Sequence, residues 1–215
     1  MAYTVKCVNR VFTSAKASPT REGTISFLYD REGRRKYLTA SERRAFLMAA
    51  KRMPSDIRAF CSILAYTGAR ISEVLALTPE HFDQVARLVV FESLKKRRKG
   101  VFRAVPVPSE LLRLVDDLRQ ARADPTAADR RIWPWSRTTA WTQVKAVMAT
   151  AGVTGPQASP KGLRHAFAIG ALQGGVPINF IKKWLGHARL STTEIYTEAV
   201  GEEEQAIAAL AWKVF

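Results

Sequence analysis

Apolar residues recur every three or four positions over most of the 215-residue chain, which is the spacing of amphipathic helices. The clearest start is Thr39, whose hydroxyl can cap a helix while Glu42 reciprocates as a capping box. Glycine and proline residues mark the ends of the later predicted helices. The pattern predicts helices over residues 40 to about 52, 55–68 with Ser55 as cap and Gly68 as stop, 69–77 before a turn at Thr78-Pro79, 109–120, 136–152, 159–175 and 177–186.

The last two predicted helices lie near the C-terminus. Ser191 and Glu194 repeat the capping-box spacing, which places Tyr196 in the second turn of a short helix that begins at Ser191. Gly201 can interrupt that helix. The final segment, residues 202–215, then carries an apolar stripe at helical spacing, formed by Ile207, Leu210, Ala211 and Val214.

Two stretches in the middle of the chain follow a different pattern. RLVVFES and VFRAVPVP are rich in β-branched and aromatic residues, and LKKRRKG separates them. We expect an antiparallel β-hairpin with a very basic tip. A shorter hairpin is predicted around Glu32-Gly33. With no internal repeat, the chain is predicted to be an α+β protein that is mainly helical and has a small antiparallel sheet.

The net charge of the chain indicates what kind of partner it binds. The 34 lysine and arginine residues outnumber the 19 acidic ones, for a net charge of +15, which favours a polyanion and makes nucleic acid the first candidate. An anionic membrane surface is the competitor, but no apolar run reaches the length of a spanning helix and no secretory signal is evident. We expect no membrane association and a cytoplasmic protein. Cys7 and Cys61 have no metal-ligand spacing, which fits a reducing compartment.

The segment SPKGLRHAF places two cations at the start of a helix. Ser159 is the expected cap, and Gly174 is the expected stop of the helix. Lys161 and Arg164 lie three residues apart, hence on one face, where the helix dipole is already positive. Such a site can bind a phosphate, and a solvated basic turn is the alternative.

Arg70 in TGARISEVLAL opens a helix between two apolar stretches, so it is expected near the core. An arginine held there needs a partner, either Glu73 or a ligand. In LGHARLSTTEIYTEAV, Tyr196 can be packing or a nucleophile. A phenol with a pKa near 10 attacks phosphorus only if cations hold the target and a neighbour, such as His187, accepts its proton.

These separated motifs occur in the order of the tyrosine-type site-specific recombinases, the phage integrase family. TGARISEVLAL resembles the segment of the first arginine, LRHAFA that of the second, and LGHARLSTTEIYT that of the histidine and the nucleophile. The resemblance covers roughly residues 38–200 and includes the order of helices and hairpin. It implies a catalytic domain that cuts and rejoins double-stranded DNA without ATP or metal.

The resemblance also implies a role for each residue. Arg70 and Arg164 would hold the non-bridging oxygens of the scissile phosphate, and Tyr196 would form a 3′-phosphotyrosine. His187 would hydrogen-bond the phosphate. Lys161 stands where the family often has histidine, and it can still donate to the phosphate. His165, one residue outside the pattern, is expected to be structural.

The leaving oxygen needs a general acid, which in the family is a lysine of the hairpin. Lys95, Lys96 and Lys99 are candidates here, and Lys95, directly after FESL, is our choice. Arg97 and Arg98 cannot readily lose a proton at neutral pH. These two arginines are expected to contact backbone phosphates. The predicted DNA-binding set is Lys96, Arg97, Arg98 and Lys99.

The family resemblance suggests three parts of the chain. Residues 1–37 form a basic extension or arm in place of a full core-binding domain, residues 38–200 form the catalytic domain, and residues 201–215 form a C-terminal docking helix. Such tails dock on a neighbouring protomer, which predicts a homotetramer on DNA; packing of the tail on its own domain is the alternative. Two other functions stay open: a type IB topoisomerase-like enzyme, and a DNA-binding accessory protein that has lost cleavage.

Overall fold

The computed structural model describes residues 28–92, 100–121 and 131–198. In these ranges the chain is mainly helical and has one small antiparallel sheet, which confirms the predicted fold class. The elements are α1 (Ala40–Ala50), α2 (Ser55–Thr67), α3 (Ile71–Leu75), β1 (Phe82–Asp83), β2 (Leu88–Glu92), β3 (Phe102–Pro106), α4 (Ser109–Ala121), α5 (Arg137–Thr150), α6 (Pro160–Gln173), α7 (Ile178–Leu185) and α8 (Ser191–Glu194). Single 3-10 turns cover Pro79–His81 and Ile195–Glu198.

Helix starts follow the predicted caps in part. The capping box at Thr39 is confirmed: the amide of Glu42 donates to Thr39 Oγ1 at 3.2 Å, and the amide of Thr39 donates to Glu42 Oε2 at 2.9 Å. Ser159 caps α6 as predicted. Ser55 is not a cap, because the preceding Pro54 takes the extended N-cap conformation and leaves Ser55 as the first helical residue. Ser191 is not a cap either, because Leu190 before it is already helical.

Helix ends agree with the predicted glycine stops. Gly68 after α2 and Gly186 after α7 both have positive φ, 61° and 67°, which residues with a Cβ atom adopt only under strain. Gly174 ends α6 with an ordinary negative φ. The two left-handed glycines turn the chain sharply just before Arg70 and His187, and so they place both residues.

The sheet has the order β1-β2-β3, and both pairs are antiparallel. Strand β2 pairs with β3 from Leu88 opposite Pro106 to Glu92 opposite Phe102, which confirms the predicted hairpin. Strand β1 was not predicted because its two residues are too few to show alternation. The hairpin tip, residues 93–99, lies outside the described residues.

Within the described ranges, the apolar core has two parts. The larger part joins α1–α5 and the inner face of the sheet and includes Trp133, whose indole N–H donates to the carbonyl of Asp56 at 2.9 Å. Cys61 lies in it, and burial raises the pKa of this thiol to about 12. The smaller part surrounds one end of α6; its buried members are Leu28, Tyr37, Phe167, Ala168, Ile169, Ile181, Leu185 and Tyr196.

Residues 28–37 belong to this second part of the core. Leu28 and Tyr37 are buried, and the amide of Lys36 donates to the carbonyl of Leu28 at 2.7 Å. A β-bridge joins Tyr29 to Arg35 across the turn predicted at Glu32-Gly33. The end of the predicted basic arm therefore packs against α6 and its neighbours, whereas residues 1–27 lie outside the described residues. None of the described helices is long and apolar enough to cross a membrane.

Candidate active site

Arg164 lies in the second turn of α6, and its side chain joins the ends of two other helices. Its Nη1 donates to the carbonyl of Gly68 and its Nη2 to the carbonyl of Leu185, both at 2.6 Å. These carbonyls close α2 and α7, where the helix dipoles are negative. A guanidinium has five N–H donors, so further donors remain for a ligand. Burial, followed by charge repulsion from Arg70, lowers the pKa of Arg164 to about 10, and the group stays cationic at neutral pH.

Arg70 is the N-cap residue of α3. Its side chain can contact both of the partners predicted for it, Glu73 and a ligand. Its Nη1 forms an ion pair with Glu73 Oε1 at 2.8 Å, and its backbone amide donates to Glu73 Oε2 at 2.8 Å. The Arg70 side chain is nevertheless 37% exposed. Glu73 therefore orients the arginine, and the exposed part of the guanidinium can still meet a ligand.

Arg103 on β3 also belongs to the site, although the sequence motifs did not predict it. Its Nη1 and Nη2 bind Glu73 at 3.2 and 2.6 Å, and its Nε donates to the carbonyl of Trp184 at 2.7 Å. The guanidinium also lies 4.9 Å from the centroid of the Phe91 ring. A signal was present, because Arg103 shares its strand parity with Val105 and Val107, both buried.

Glu73 is the shared anion of these two arginines. Burial alone would raise the pKa of its carboxyl group, but the bonds from Arg103 and the charge and amide of Arg70 outweigh burial and lower the pKa. Glu73 is thus ionised at neutral pH although it is only 3% exposed. Its negative charge fixes the hairpin strand β3 to the start of α3.

Tyr196 lies in the 3-10 turn after α8, with only 1% of its surface exposed. Its ring stacks on His187, with centroids 6.3 Å apart and planes 13° apart, and it contacts His165 at 5.6 Å. Burial raises the pKa of the phenol, and the charges of Arg164 and Arg70 oppose this only in part. The phenol is therefore neutral in the DNA-free protein.

His187 directly follows the left-handed Gly186 and is held on its other side by α8. Its Nδ1 lies 3.0 Å from the hydroxyl of Thr193, a residue that is completely buried. This hydrogen bond fixes the ring orientation against Tyr196. The local motif HARLSTTEIY thus folds back so that its first and last residues stack.

Lys161 lies in the first turn of α6 and is exposed. His165 lies one turn farther along and is buried. Burial, followed by the charges of Lys161, Arg164 and Lys36, lowers the pKa of His165 to about 4. Of the predicted catalytic residues, the structure brings Arg70, Arg164, His187 and Tyr196 together, with Lys161 next to His165 at the edge. Lys95, Lys96, Arg97, Arg98 and Lys99 lie outside the described residues.

The arrangement combines the guanidinium groups of Arg70, Arg103 and Arg164 with two imidazoles and a phenol. Arginine forks bind phosphate oxygens through paired hydrogen bonds, and low exposure strengthens their electrostatic effect. A phosphodiester that contacts Arg70 and Arg164 would lie close to the phenol, since both charges act on Tyr196. The chemistry that fits is attack of a tyrosine oxygen on phosphorus.

Comparisons with known proteins agree with this geometry. A model of the phage integrase family matches residues 36–203. The chain is 36% identical over 151 residues to the tyrosine recombinase XerD of Mycobacterium tuberculosis, a match that covers 65% of this chain and 47% of the relative. It is 29% identical over 155 residues to XerD of Corynebacterium glutamicum, covering 69% and 51%. The chain thus spans about half the length of the curated relatives it matches.

Solved structures show the same fold. The crystal structure of XerA recombinase has a TM-score of 0.72 at 25% identity, covering 81% of this chain and 64% of that one. The XerH site-specific recombinase bound to its difH substrate has a TM-score of 0.69 at 19% identity, covering 86% and 59%. The catalytic domain of bacteriophage HP1 integrase has a TM-score of 0.58 at 22% identity, covering 80% and 93%.

Proposed function

Because the chain belongs to the phage integrase family, we propose that it is a site-specific recombinase that cuts and rejoins double-stranded DNA through a 3′-phosphotyrosyl intermediate. The observation that carries the proposal is the packing of Tyr196 against His187 within the field of Arg70 and Arg164. These four residues come from three separate sequence motifs. Packing alone would not require two arginines next to a buried phenol.

In the proposed reaction, Arg70 and Arg164 bind the non-bridging oxygens of the scissile phosphate. Glu73 and the carbonyls of Gly68 and Leu185 hold the two guanidinium groups before DNA arrives, so little reorganisation is needed in the transition state. His187 is proposed to donate a further hydrogen bond to the same phosphate. Lys161, at the rim, adds a positive charge.

The phenol has to be uncovered before it can attack. Tyr196 is 1% exposed, and it is carried by a 3-10 turn that follows a four-residue helix. Short 3-10 segments have weaker hydrogen-bond geometry than α-helices and rearrange readily. We expect a phosphate between the arginines to draw the tyrosine oxygen toward it.

The proposed general acid is Lys95, and Lys96, Arg97, Arg98 and Lys99 are proposed to contact DNA phosphates. The support is their sequence position between β2 and β3, together with the net charge of +15. Phosphate contacts of this kind make affinity fall steeply with salt. The basic residues 1–27 are proposed to extend the same contact surface.

The assembly is proposed to be a homotetramer on paired DNA sites. The support is the apolar stripe of residues 202–215, which can dock on a neighbouring copy. Mass photometry of the full chain with a two-site duplex tests this proposal. Leu210→Arg should leave DNA binding intact and abolish the tetramer; a tetramer that survives in this variant contradicts docking through the helix.

A nicked suicide duplex tests the chemistry. Cleavage next to the nick releases a short fragment whose 5′-hydroxyl diffuses away, so the covalent protein–DNA adduct accumulates and is seen on a denaturing gel. DNA from the neighbourhood of the gene supplies the candidate site. Wild type and the exposed control Tyr66→Phe should form the adduct, whereas Tyr196→Phe should not.

Two outcomes would contradict the proposal. If wild type forms no adduct, the accessory-protein alternative is favoured; if Tyr196→Phe still forms one, another residue is the nucleophile. Plasmid assays separate the two kinds of enzyme. A recombinase exchanges the segments of a two-site plasmid, whereas a type IB topoisomerase-like enzyme relaxes a one-site plasmid.

A further inference from the structure

His165 occupies a position that packing alone does not explain. It lies four residues after Lys161 on α6, so the two share a helix face, and its ring contacts the ring of Tyr196 at 5.6 Å. His165 is 5% exposed. Among the residues that the structure describes, neither of its ring nitrogens has a hydrogen-bond partner.

A buried imidazole without hydrogen-bond partners lowers the stability of the folded protein. A buried polar nitrogen without a partner loses its hydrogen bond to water and gains none in return, and most buried polar groups avoid this. A leucine or phenylalanine would fill a similar space without that loss. The unpaired nitrogens therefore point to a partner that is acquired during the reaction.

We propose that His165 is a catalytic residue that accepts the phenolic proton of Tyr196 during attack on DNA. This inference rests on the proposed function. Lys161 stands where the family often has histidine, and as an ammonium ion it has no lone pair to accept a proton. His165 lies one helical turn farther along the same face, and it supplies the imidazole that position 161 lacks.

The step is balanced in atoms and charge. The Tyr196 O–H bond breaks, its proton passes to a ring nitrogen of His165, and the oxygen lone pair forms the bond to phosphorus. The bond from phosphorus to the 5′-oxygen breaks, and that oxygen takes a proton from a separate acid. In the rejoining step the 5′-hydroxyl attacks phosphorus and returns its proton to the conjugate base of that acid, and the leaving phenolate recovers its proton from the His165 imidazolium.

The surrounding charges suit this role. Lys161 and Arg164 on α6 and Lys36 on the neighbouring segment keep His165 neutral, so that a lone pair is present at neutral pH. The phenol of Tyr196 faces it from the 3-10 turn and holds its own proton tightly. When an anionic phosphate enters, it offsets the nearby cations and makes the imidazole more basic. Proton acceptance is therefore favoured when the substrate is in place.

The test measures the rate of covalent adduct formation on the suicide duplex at saturating DNA, from pH 6 to pH 9.5. His165→Leu and His165→Phe remove the nitrogens and keep the apolar contact. Phe167→Leu, two residues along the same helix and in the same part of the core, is the packing control. DNA affinity is measured in parallel, and circular dichroism verifies folding.

We expect the wild-type rate to vary little between pH 6 and pH 9.5, because His165 is already neutral over this range. Both His165 variants should be slower by at least about 100-fold, as for loss of a general base, and their rates should keep rising to pH 9.5 as the phenol ionises directly. Their DNA affinity should be unchanged. Phe167→Leu should keep the wild-type rate and pH profile.

A substrate with sulfur in place of the bridging 5′-oxygen gives a second measurement, because its thiolate leaves without a proton. The defect of the His165 variants should persist on it. The proposal is overturned if a folded His165 variant has the wild-type rate and pH profile, or if the sulfur substrate restores its rate. Absence of any wild-type adduct would instead reject the proposed function itself.

Discussion

Arg103 binds Glu73 through both of its terminal nitrogens, at 3.2 and 2.6 Å, although the two residues lie 30 positions apart. The same guanidinium donates to the carbonyl of Trp184, just before Gly186 and His187. One side chain on the hairpin thus joins the segment that carries Arg70 to the segment that carries His187. Displacement of Arg103 should therefore affect both Arg70 and His187, the two residues that we propose bind the phosphate.

Removal of the Arg103 charge should be strongly destabilising. Arg103→Met leaves Glu73 buried with a single cationic partner, and loss of one member of a buried ion pair costs about 3 kcal/mol. The measurement is equilibrium unfolding in urea, with Arg113→Met as control, because the Arg113–Glu110 pair is exposed and contributes less than about 1 kcal/mol. Equal destabilisation by the two changes would contradict the role of Arg103.

Arg103→Lys keeps the positive charge but loses the paired N–H donors of the guanidinium group. It should restore part of the stability, but the adduct should form about 10-fold more slowly than in wild type, because a lysine cannot bind Glu73 and Trp184 together. Single-turnover cleavage at saturating DNA measures this. A wild-type rate in Arg103→Lys would show that charge alone positions the site.

Gly186→Ala should disturb the same contact. An alanine there has to adopt a positive φ, and its Cβ would lie 3.1 Å from Cδ of Arg103. Gly152→Ala is a matched control: its φ is +69°, but its Cβ would have no neighbour within 4 Å. The control should lose about 1 kcal/mol from backbone strain alone. Thermal unfolding should show a larger loss of stability for Gly186→Ala than for Gly152→Ala. Equal losses would mean that the Arg103 side chain moves aside at no cost in free energy.

Thr193→Val should misplace His187. The change removes the hydroxyl that lies 3.0 Å from His187 Nδ1 and keeps the β-branched shape. Cleavage should slow by about 10-fold, the lower end of the 10- to 100-fold cost of losing the hydrogen bond that orients a metal-bound histidine. Thr192→Val, on the exposed neighbouring residue, is the control and should be silent. A silent Thr193→Val would show that the Thr193 hydrogen bond is not needed to orient the ring.

The stability of the protein should depend on pH through His165. Its pKa is about 4 in the folded protein and about 6.5 when unfolded, so the unfolded chain binds the proton more tightly between these values. Stability therefore falls as pH drops from 6.5 toward 4, by up to about 3 kcal/mol. His165→Leu should remove this part of the decline and be more stable than wild type at pH 5.

Urea unfolding at pH 7.5 and pH 5 measures the effect, and Phe167→Leu should keep the wild-type pH dependence. Other groups titrate in the same range, so the informative quantity is the difference between variant and wild type. If His165→Leu declines as steeply as wild type, the ring is protonated or solvated in the folded protein. That result would remove the neutral acceptor on which the proposed proton transfer depends.

The local sequence determined much of this protein. Hydrogen bonds within a few residues encode the Thr39 capping box, and the steric freedom of glycine encodes the left-handed stops at Gly68 and Gly186. Short motifs that resemble those of the phage integrase family indicated Arg70, Arg164, His187 and Tyr196 as candidate site residues. Ser55 and Ser191 failed as caps because the backbone of the preceding residue decides where a helix begins.

Only the tertiary structure decided which distant groups meet. Arg103 reaches Trp184 across 81 positions, and His165 meets Tyr196 from a different helix. The path of the chain between such residues depends on how the whole core packs, and no spacing rule within one segment carries that information. Burial of Tyr196, the shared use of Glu73 and the unpaired nitrogens of His165 all follow from this packing.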